Sequence, residues 1–334
     1  MSPVDQRHPT TPRPPHRRRV LRAAGMVIAG LLALTATSAI ANTAVTSAEK
    51  SRLEPYGQTV ALAAGDINVY RNGGTGPTMV LLSGYGTPAP AIDFAPLIRE
   101  LDAFDVIVIE GFGYGYSNLD VAHRTVENIA AEVHEVLGRL GVHEPVILVG
   151  HSIGGIYAHY YANAYPGEVS AIVGIDPTPA TPSSLEVGTP SRIEGIISGL
   201  GLYRWVTSLA PGLIQPPGTA YTASERERTA AMSNWTYGNS SIADEWAQLG
   251  ANSTRTSARP FPKTVPVLTF LSTESVTAMP DWLSTHEAEL ADVTTHQVQI
   301  VDGSHYLHWT QSPLLGRTIS DFVGVQGANS PHAR

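Results

Sequence analysis

The 334-residue chain contains no cysteine. A disulfide scaffold, a zinc-thiolate centre and a thiol nucleophile are therefore all excluded, and the chemistry is left to oxygen and nitrogen. Basic residues are few as well, 21 Lys and Arg against 29 Asp and Glu, and they are unevenly spread. Six arginines (Arg7, Arg13, Arg17, Arg18, Arg19 and Arg22) fall in the first 22 residues, with Asp5 the one acid there. Beyond residue 41 only 15 basic side chains face 28 acidic ones, a formal net charge of −13. Such a surface repels nucleic acid and anionic lipid, and no Lys/Arg cluster remains to bind a phosphate backbone. No internal repeat is visible.

After the arginines, AAGMVIAGLLALTATSAIA runs uncharged from Ala23 to Ala41 and ends in an A-x-A step before Asn42. A basic start, an apolar middle and a small-residue step make residues 1–41 an export signal, with cleavage after Ala41 the preferred reading. RRRVLR also resembles the twin-arginine export signal, with His16 where Ser or Thr is usual. The alternative is a retained membrane anchor, since the 19-residue run is just long enough to span a bilayer, although its Ala, Thr and Ser content makes it weakly apolar. Either way the protein is expected outside the cytoplasm, exported or at the cell surface, touching membrane only through this segment. Residues 42–55 then read as a linker and 327–334 as a tail.

Between residues 56 and 326 short apolar runs alternate with amphipathic ones. MVLLS, DVIVIE, PVILVG and VSAIVGID read as strands, and FAPLIREL, TVENIAAEVHEVLGRLG and SIGGIYAHYYANAYP as helices between them. This alternation predicts an α/β fold, a mostly parallel sheet with helices on both faces. It stops at Pro177. Residues 177–262 are rich in Pro, Gly, Ser and Thr and predict a helical cap insertion rather than a second domain. The pattern resumes with VPVLTFLS, a helix over MPDWLSTHEAELA, the strand HQVQIV and a last helix over SPLLGRTISDFVG.

One stretch carries the chemistry. In LVGHSIGG, Ser152 sits between Gly150 and Gly154 where the strand PVILV gives way to a helix. A serine hydroxyl attacks only if a base takes its proton and the resulting oxyanion is stabilised. A sharp strand-to-helix turn exposes the hydroxyl and brings the helix-start N–H groups near the developing charge, and glycines allow the close backbone contacts such a turn imposes. An ordinary N-cap serine is the bland alternative. The neighbouring His151 is expected to pack near the turn, pointing away from Ser152.

The chain resembles the serine-type α/β-hydrolase family over residues 56–326. VLLSGYG resembles the family's loop after the third strand, VIEGFGYGYS its Asp-x-x-Gly-x-Gly-x-Ser loop with Glu110 for the usual aspartate, and DGSHYLHWTQSP its closing histidine loop. Ser83 stands where histidine is common. The resemblance implies a base late in the chain, His305, with His308 one turn further as the competitor. It implies an acid that is either Asp176, after VSAIVGI, or Glu274, one residue short of the expected place at Ser275; Asp176 is preferred. Backbone amides of Tyr85 and Ile153 are the implied oxyanion donors. No cofactor or metal is implied, and His305-x-x-His308 lacks a carboxylate to complete a metal set. The glycines of EGFGYGYS are spaced G-x-G-x-G and open no helix, which argues against a dinucleotide site.

Trp205, Trp235, Trp246, Tyr203, Tyr221 and Tyr237 concentrate in the insertion. They are expected to fix the cap to the core, with one or two lining a covered pocket for a small or medium acyl substrate. The expected reaction is hydrolysis of a carboxylic ester through an acyl-enzyme. Amide or N-terminal peptide hydrolysis is the alternative, and a non-catalytic binding protein on the same fold is the rival from another class. Epoxide hydrolysis and dehalogenation are disfavoured because those relatives carry aspartate where Ser152 stands.

Overall fold

The computed structural model describes residues 16–181 and 193–329. The start of the expected export signal (1–15), residues 182–192 of the insertion and the end of the tail (330–334) lie outside the described residues. Eight strands, β1 (Gln58–Leu62), β2 (Gly65–Arg71), β3 (Thr78–Leu82), β4 (Asp105–Glu110), β5 (Val146–His151), β6 (Val169–Ile175), β7 (Val267–Ser272) and β8 (His296–Val301), form one sheet. Its order is β1-β2-β4-β3-β5-β6-β7-β8. β1 and β2 are antiparallel to their neighbours, and from β4 through β8 every pairing is parallel.

β4, β5 and β7 are buried along their whole length, as uninterrupted apolar runs must be when both faces are covered. Alternation along the strands divides the core in two. Val80, Ile107 and Leu148 face one layer with helices Val126–Arg139 and Gly154–Ala164. Met79, Val106 and Val149 face the other with helices Ala95–Glu100 and Ser312–Asn329.

Two predicted helices differ from expectation at prolines. The helix expected over Phe94–Leu101 is Ala95–Glu100, with Pro96 in its first turn where a missing N–H is tolerated, and a separate one-turn helix, Pro90–Asp93, precedes it. The one expected over Met279–Ala291 is Trp282–Leu290, and an unforeseen helix, Thr273–Ala278, precedes Pro280. Ser272 caps that short helix, its Oγ accepting from Ser275 N–H at 3.0 Å.

Among the described residues of the insertion there are four α-helices, Ile193–Gly199, Leu202–Leu209, Ala223–Thr236 and Ser240–Ser257, and no strand. Thr222 and Glu225 form a reciprocal capping box at the start of the third, and Asn239 caps the fourth. At the other end of the chain, helix His16–Arg52 continues through Ala41 without a break. Residues 42–52, expected as linker, are thus helical, because they have a surface to pack on. Arg204 of the insertion donates to Asn42 Oδ1 at 2.8 Å, Thr46 Oγ1 at 2.9 Å and Glu49 Oε1 at 2.6 Å. Trp235 Nε1 reaches Glu49 Oε2 at 2.9 Å. Among the described residues this is the one helix long and apolar enough to cross a membrane.

The glycine-rich loop after β4 is shaped by a carboxylate. Glu110 is fully buried and accepts from Tyr56 Oη at 2.6 Å, Asn68 Nδ2 at 2.9 Å and Tyr116 N–H at 3.0 Å. Burial pushes its pKa up, against the pull of these hydrogen bonds. A Cβ on Gly115, whose φ is +56°, would lie 1.6 Å from Glu110 Oε2. Gly115→Ala should therefore displace the carboxylate as well as strain the turn, lowering stability by about 3 kcal/mol in denaturant unfolding of the detergent-solubilised full chain. A loss below about 1 kcal/mol would show that the loop relaxes without disturbing Glu110.

Candidate active site

β5 delivers Ser152 to the carboxyl edge of the sheet, and helix Gly154–Ala164 starts two residues later. The turn between them is as tight as the glycines suggested. A Cβ on Gly150 would meet the Gly154 backbone at 2.5 Å, and one on Gly154 would meet Leu82 O at 2.4 Å. Ser152 itself has φ +53°. Three described non-glycine residues have positive φ, and two of them are Ser152 and Asp176, the latter at +44°. Strain of this kind persists where surrounding structure enforces it. Here Ser152 N–H donates to Ile175 O at 3.3 Å and Thr178 N–H donates to Ser152 O at 2.8 Å, so the residues flanking Asp176 hold both sides of the serine backbone.

Asp176 directly follows β6, with its carboxylate wholly out of solvent. Oδ2 accepts from His305 Nδ1 at 2.7 Å, Ser275 Oγ at 2.5 Å and Ser272 Oγ at 2.8 Å. Oδ1 accepts from Ser272 N–H at 2.9 Å and Trp282 Nε1 at 3.2 Å. Burial alone would raise its pKa, but the hydrogen bonds from His305, Ser275 and Ser272 outweigh it and leave the carboxyl below its usual range. Glu274 has a different task. Its Oε2 accepts the backbone N–H of His305 at 2.7 Å, so it holds the loop while Asp176 holds the ring. Ser275, at the place where sequence counting looked for an acid, serves the acid instead.

With Nδ1–H given to Asp176, His305 Nε2 is left bare to take a proton. Among the described residues it has no hydrogen-bond partner, and the Ser152 hydroxyl makes no hydrogen bond to His305. Catalytic hydrogen bonds of this kind are commonly long until substrate is seated. His151, one residue before Ser152, has its ring 4.8 Å from that of His305 and its Nε2 facing His305 O at 3.2 Å. Burial, then the neighbouring His308 and His305, drive the His151 pKa well down, so it packs as a neutral ring. His308 is fully buried in the short helix Leu307–Thr310, with Nε2 at 2.7 Å from Asp93 Oδ2. Trp309 Nε1 takes the other Asp93 oxygen at 2.8 Å. Sequence reading missed this Asp93 brace, which joins positions more than two hundred residues apart.

On the other side of Ser152, Gly84 packs against His151 and Ser152. Neither Tyr85 N–H nor Ile153 N–H, the two expected oxyanion donors, is hydrogen-bonded to a described residue. Trp246 of the insertion packs on Tyr85 with centroids 4.9 Å apart, and burial first, then Glu194, pushes the Tyr85 phenol up to about 12. Behind it, Tyr114 Oη accepts Gly86 N–H at 3.2 Å and donates to the buried Glu245 of helix Ser240–Ser257. Tyr157 Oη donates to the other Glu245 oxygen at 2.5 Å. Burial raises the Glu245 pKa, although both phenols and Arg124 pull it down.

A cavity of about 370 Å³ lies between the sheet edge and the insertion, with Tyr85, Asp93, Glu194, Tyr237, Tyr306 and Trp309 in its wall. Ser152 and His305 do not line it, although Tyr306, next to His305 in the chain, and Tyr85, next to Gly84, do. Of the aromatic residues expected to cover a pocket, Tyr203 and Tyr237 line this one, stacked at 3.8 Å. Trp205 and Trp235 instead meet the N-terminal helix. No group of three or more His, Asp or Glu among the described residues could hold a metal ion.

Residues 79–315 match the alpha/beta hydrolase family. The chain belongs to it. This hydrolase is 26% identical over 287 residues to the uncharacterized protein YbdG of Bacillus subtilis, covering 82% of this chain and 88% of that one. Lipase 1 of Psychrobacter immobilis is 26% identical over 150 residues, 44% of this chain and 45% of the lipase. Among solved structures, a thermophilic esterase from Thermogutta terrifontis superposes with a TM-score of 0.63 at 19% identity, over 80% of this chain and 99% of the esterase. Epoxide hydrolase A from Mycobacterium thermoresistibile also superposes at 0.63, with 18% identity over 81% and 98% of the two chains. At such identities the superpositions speak for the hydrolase fold alone.

The depressed Asp176 pKa has a definite sign in stability. Its contribution is complete above the unfolded carboxyl pKa of about 4 and disappears as pH falls through the lower folded value. The stability gap between wild type and Asp176→Asn should be constant at neutral pH and shrink below about pH 4, read by denaturant unfolding across a pH series. A gap that widens on acidification would mean that the carboxyl is protonated in the fold.

Proposed function

We propose that this hydrolase cleaves carboxylic esters by acyl transfer to Ser152. The observation that carries the reading is the 2.7 Å hydrogen bond between His305 Nδ1 and Asp176 Oδ2, beside a serine held at positive φ on the strand-to-helix turn. Ser152 Oγ attacks the ester carbonyl while His305 Nε2 takes its proton. The tetrahedral oxyanion is met by Tyr85 and Ile153 N–H groups. Collapse breaks the carbon–oxygen bond, His305 protonates the departing alcohol, and water repeats the sequence to free the acid and restore Ser152. Asp176 keeps the ring in the required tautomer and stabilises the imidazolium. The lipase and esterase among the similar proteins support ester chemistry, and serine at position 152 speaks against the aspartate route to epoxides.

A second reading has one observation behind it. Glu194 of the insertion stands in the cavity wall, where a carboxylate could take the amine of an N-terminal peptide substrate. Short and long acyl p-nitrophenyl esters assayed beside aminoacyl anilides separate the two. Ester turnover that exceeds anilide turnover and survives Glu194→Gln supports the first reading; anilide turnover lost in Glu194→Gln supports the second. Turnover of neither would favour a binding protein.

A fluorophosphonate should label the wild-type chain at Ser152 and leave Ser152→Ala unlabelled. Asp176→Asn should lower ester turnover about 10³- to 10⁴-fold with its unfolding transition retained, and Glu274→Gln about tenfold or less. Equal losses in the two carboxylate variants would remove Asp176 from its proposed role.

A further inference from the structure

The outward face of the insertion is apolar, and it lies against the apolar N-terminal helix. From Gly195 to Gly218 the sequence GIISGLGLYRWVTSLAPGLIQPPG has a single charged residue, Arg204. That charge is turned inward and held by Glu49, Asn42 and Thr46, its side chain only 16% exposed. What faces outward is Ile196, Trp205, Val206, Leu209 and Leu213, between 51% and 83% exposed. Contiguous apolar surface of this kind marks a site that something covers.

One contact sets the depth at which lipid would meet this face. Trp205 Nε1 donates to Ser38 Oγ at 3.1 Å, and Ser38 Oγ donates to Leu200 O at 2.7 Å. From Val20 to Ser38 the helix rises roughly 27 Å at 1.5 Å per residue, close to the ~30 Å hydrocarbon core. Arg17, Arg18, Arg19 and Arg22 lie at the far end, where the positive-inside rule puts the cytoplasm. In a bilayer filled by Val20–Ser38, helix Leu202–Leu209 would sit at the level where the N-terminal helix leaves the hydrocarbon, with Trp205 at the interfacial depth such rings prefer. Leu213 is both 69% exposed and part of the cavity wall, so one segment belongs to the apolar face and to the cavity.

We infer that this face of the insertion docks on the bilayer surface beside a retained N-terminal helix, and that the cavity takes its acyl ester from the lipid phase. The inference rests on the helix being a retained anchor and, for the substrate, on the ester chemistry above. Docking is driven by apolar burial rather than by charge, since the remainder of the chain is acidic.

Because the chain has no cysteine, single nitroxide labels can be placed directly in the full-length protein. Leu31→Cys reports the span, Leu209→Cys the docking face and His143→Cys the opposite, aqueous end of the sheet. In phosphatidylcholine vesicles the labels at 31 and 209 should both be relaxed more by oxygen than by a water-soluble nickel chelate, and the label at 143 the reverse. Val206→Asp with Leu209→Asp should cut hydrolysis of a long-chain ester dissolved in the vesicles about tenfold or more, leaving a water-soluble short ester within about twofold. A label at 209 in water while the one at 31 is in hydrocarbon overturns docking and leaves the anchor standing. Both in water overturns the anchor and the docking together. If wild type cleaves neither ester, the ester reading fails, and the label at 209 alone decides docking.

Discussion

A carboxylate withdrawn completely from water is tolerated only where donors surround it, and Asp176 collects five. They come from the end of β7, the short helix after it, the helix that starts at Trp282 and the loop after β8. Four separate pieces of the C-terminal half are thereby tied to the end of β6. The same demand explains the positive φ of Asp176, which aims its side chain along the sheet edge toward those donors rather than into a core layer. The position of the His305 ring follows from it, and Glu274 completes the loop by taking the His305 backbone N–H.

Much of this was legible in the residues. The apolar run within DVIVIE coincides with β4 because a strand covered on both faces has no alternation to disguise it, whereas HQVQIV, at the sheet edge as β8, keeps polar residues among the apolar ones and is largely exposed. The serine turn was legible because its glycines are demanded by backbone contact, a local matter. Where reading along the chain wavered was the acid. Spacing after β7 pointed to Ser275 and Glu274, and only the three-dimensional packing reveals that Ser275 attends a carboxylate arriving from β6 while Glu274 holds the backbone of His305. The braces Asp93–His308 and Glu245–Tyr114 had no signature at all, since each joins side chains more than a hundred positions apart.

The N-terminal segment shows a different limit. A signal and an anchor share the same basic start and apolar run, and an A-x-A step can sit inside a helix as easily as at its end. The sign that the helix continues was present in Asn42, Thr46 and Glu49, spaced four and three apart and so on one face. That stripe has meaning only once Arg204 is known to lie against it, across more than 150 residues of intervening chain.

Tyr114 bears on how the insertion and the core behave together. Its single phenolic oxygen satisfies Glu245 in the insertion and the amide of Gly86 in the loop that carries Tyr85. Displacing helix Ser240–Ser257 would strip a buried acid of a donor and leave the Tyr114 hydroxyl, which also holds the Gly86 amide, without its acceptor. The insertion and the loop behind the serine thus share one phenol, and a shift of the roof is felt at the very side chain on which that loop's amide rests.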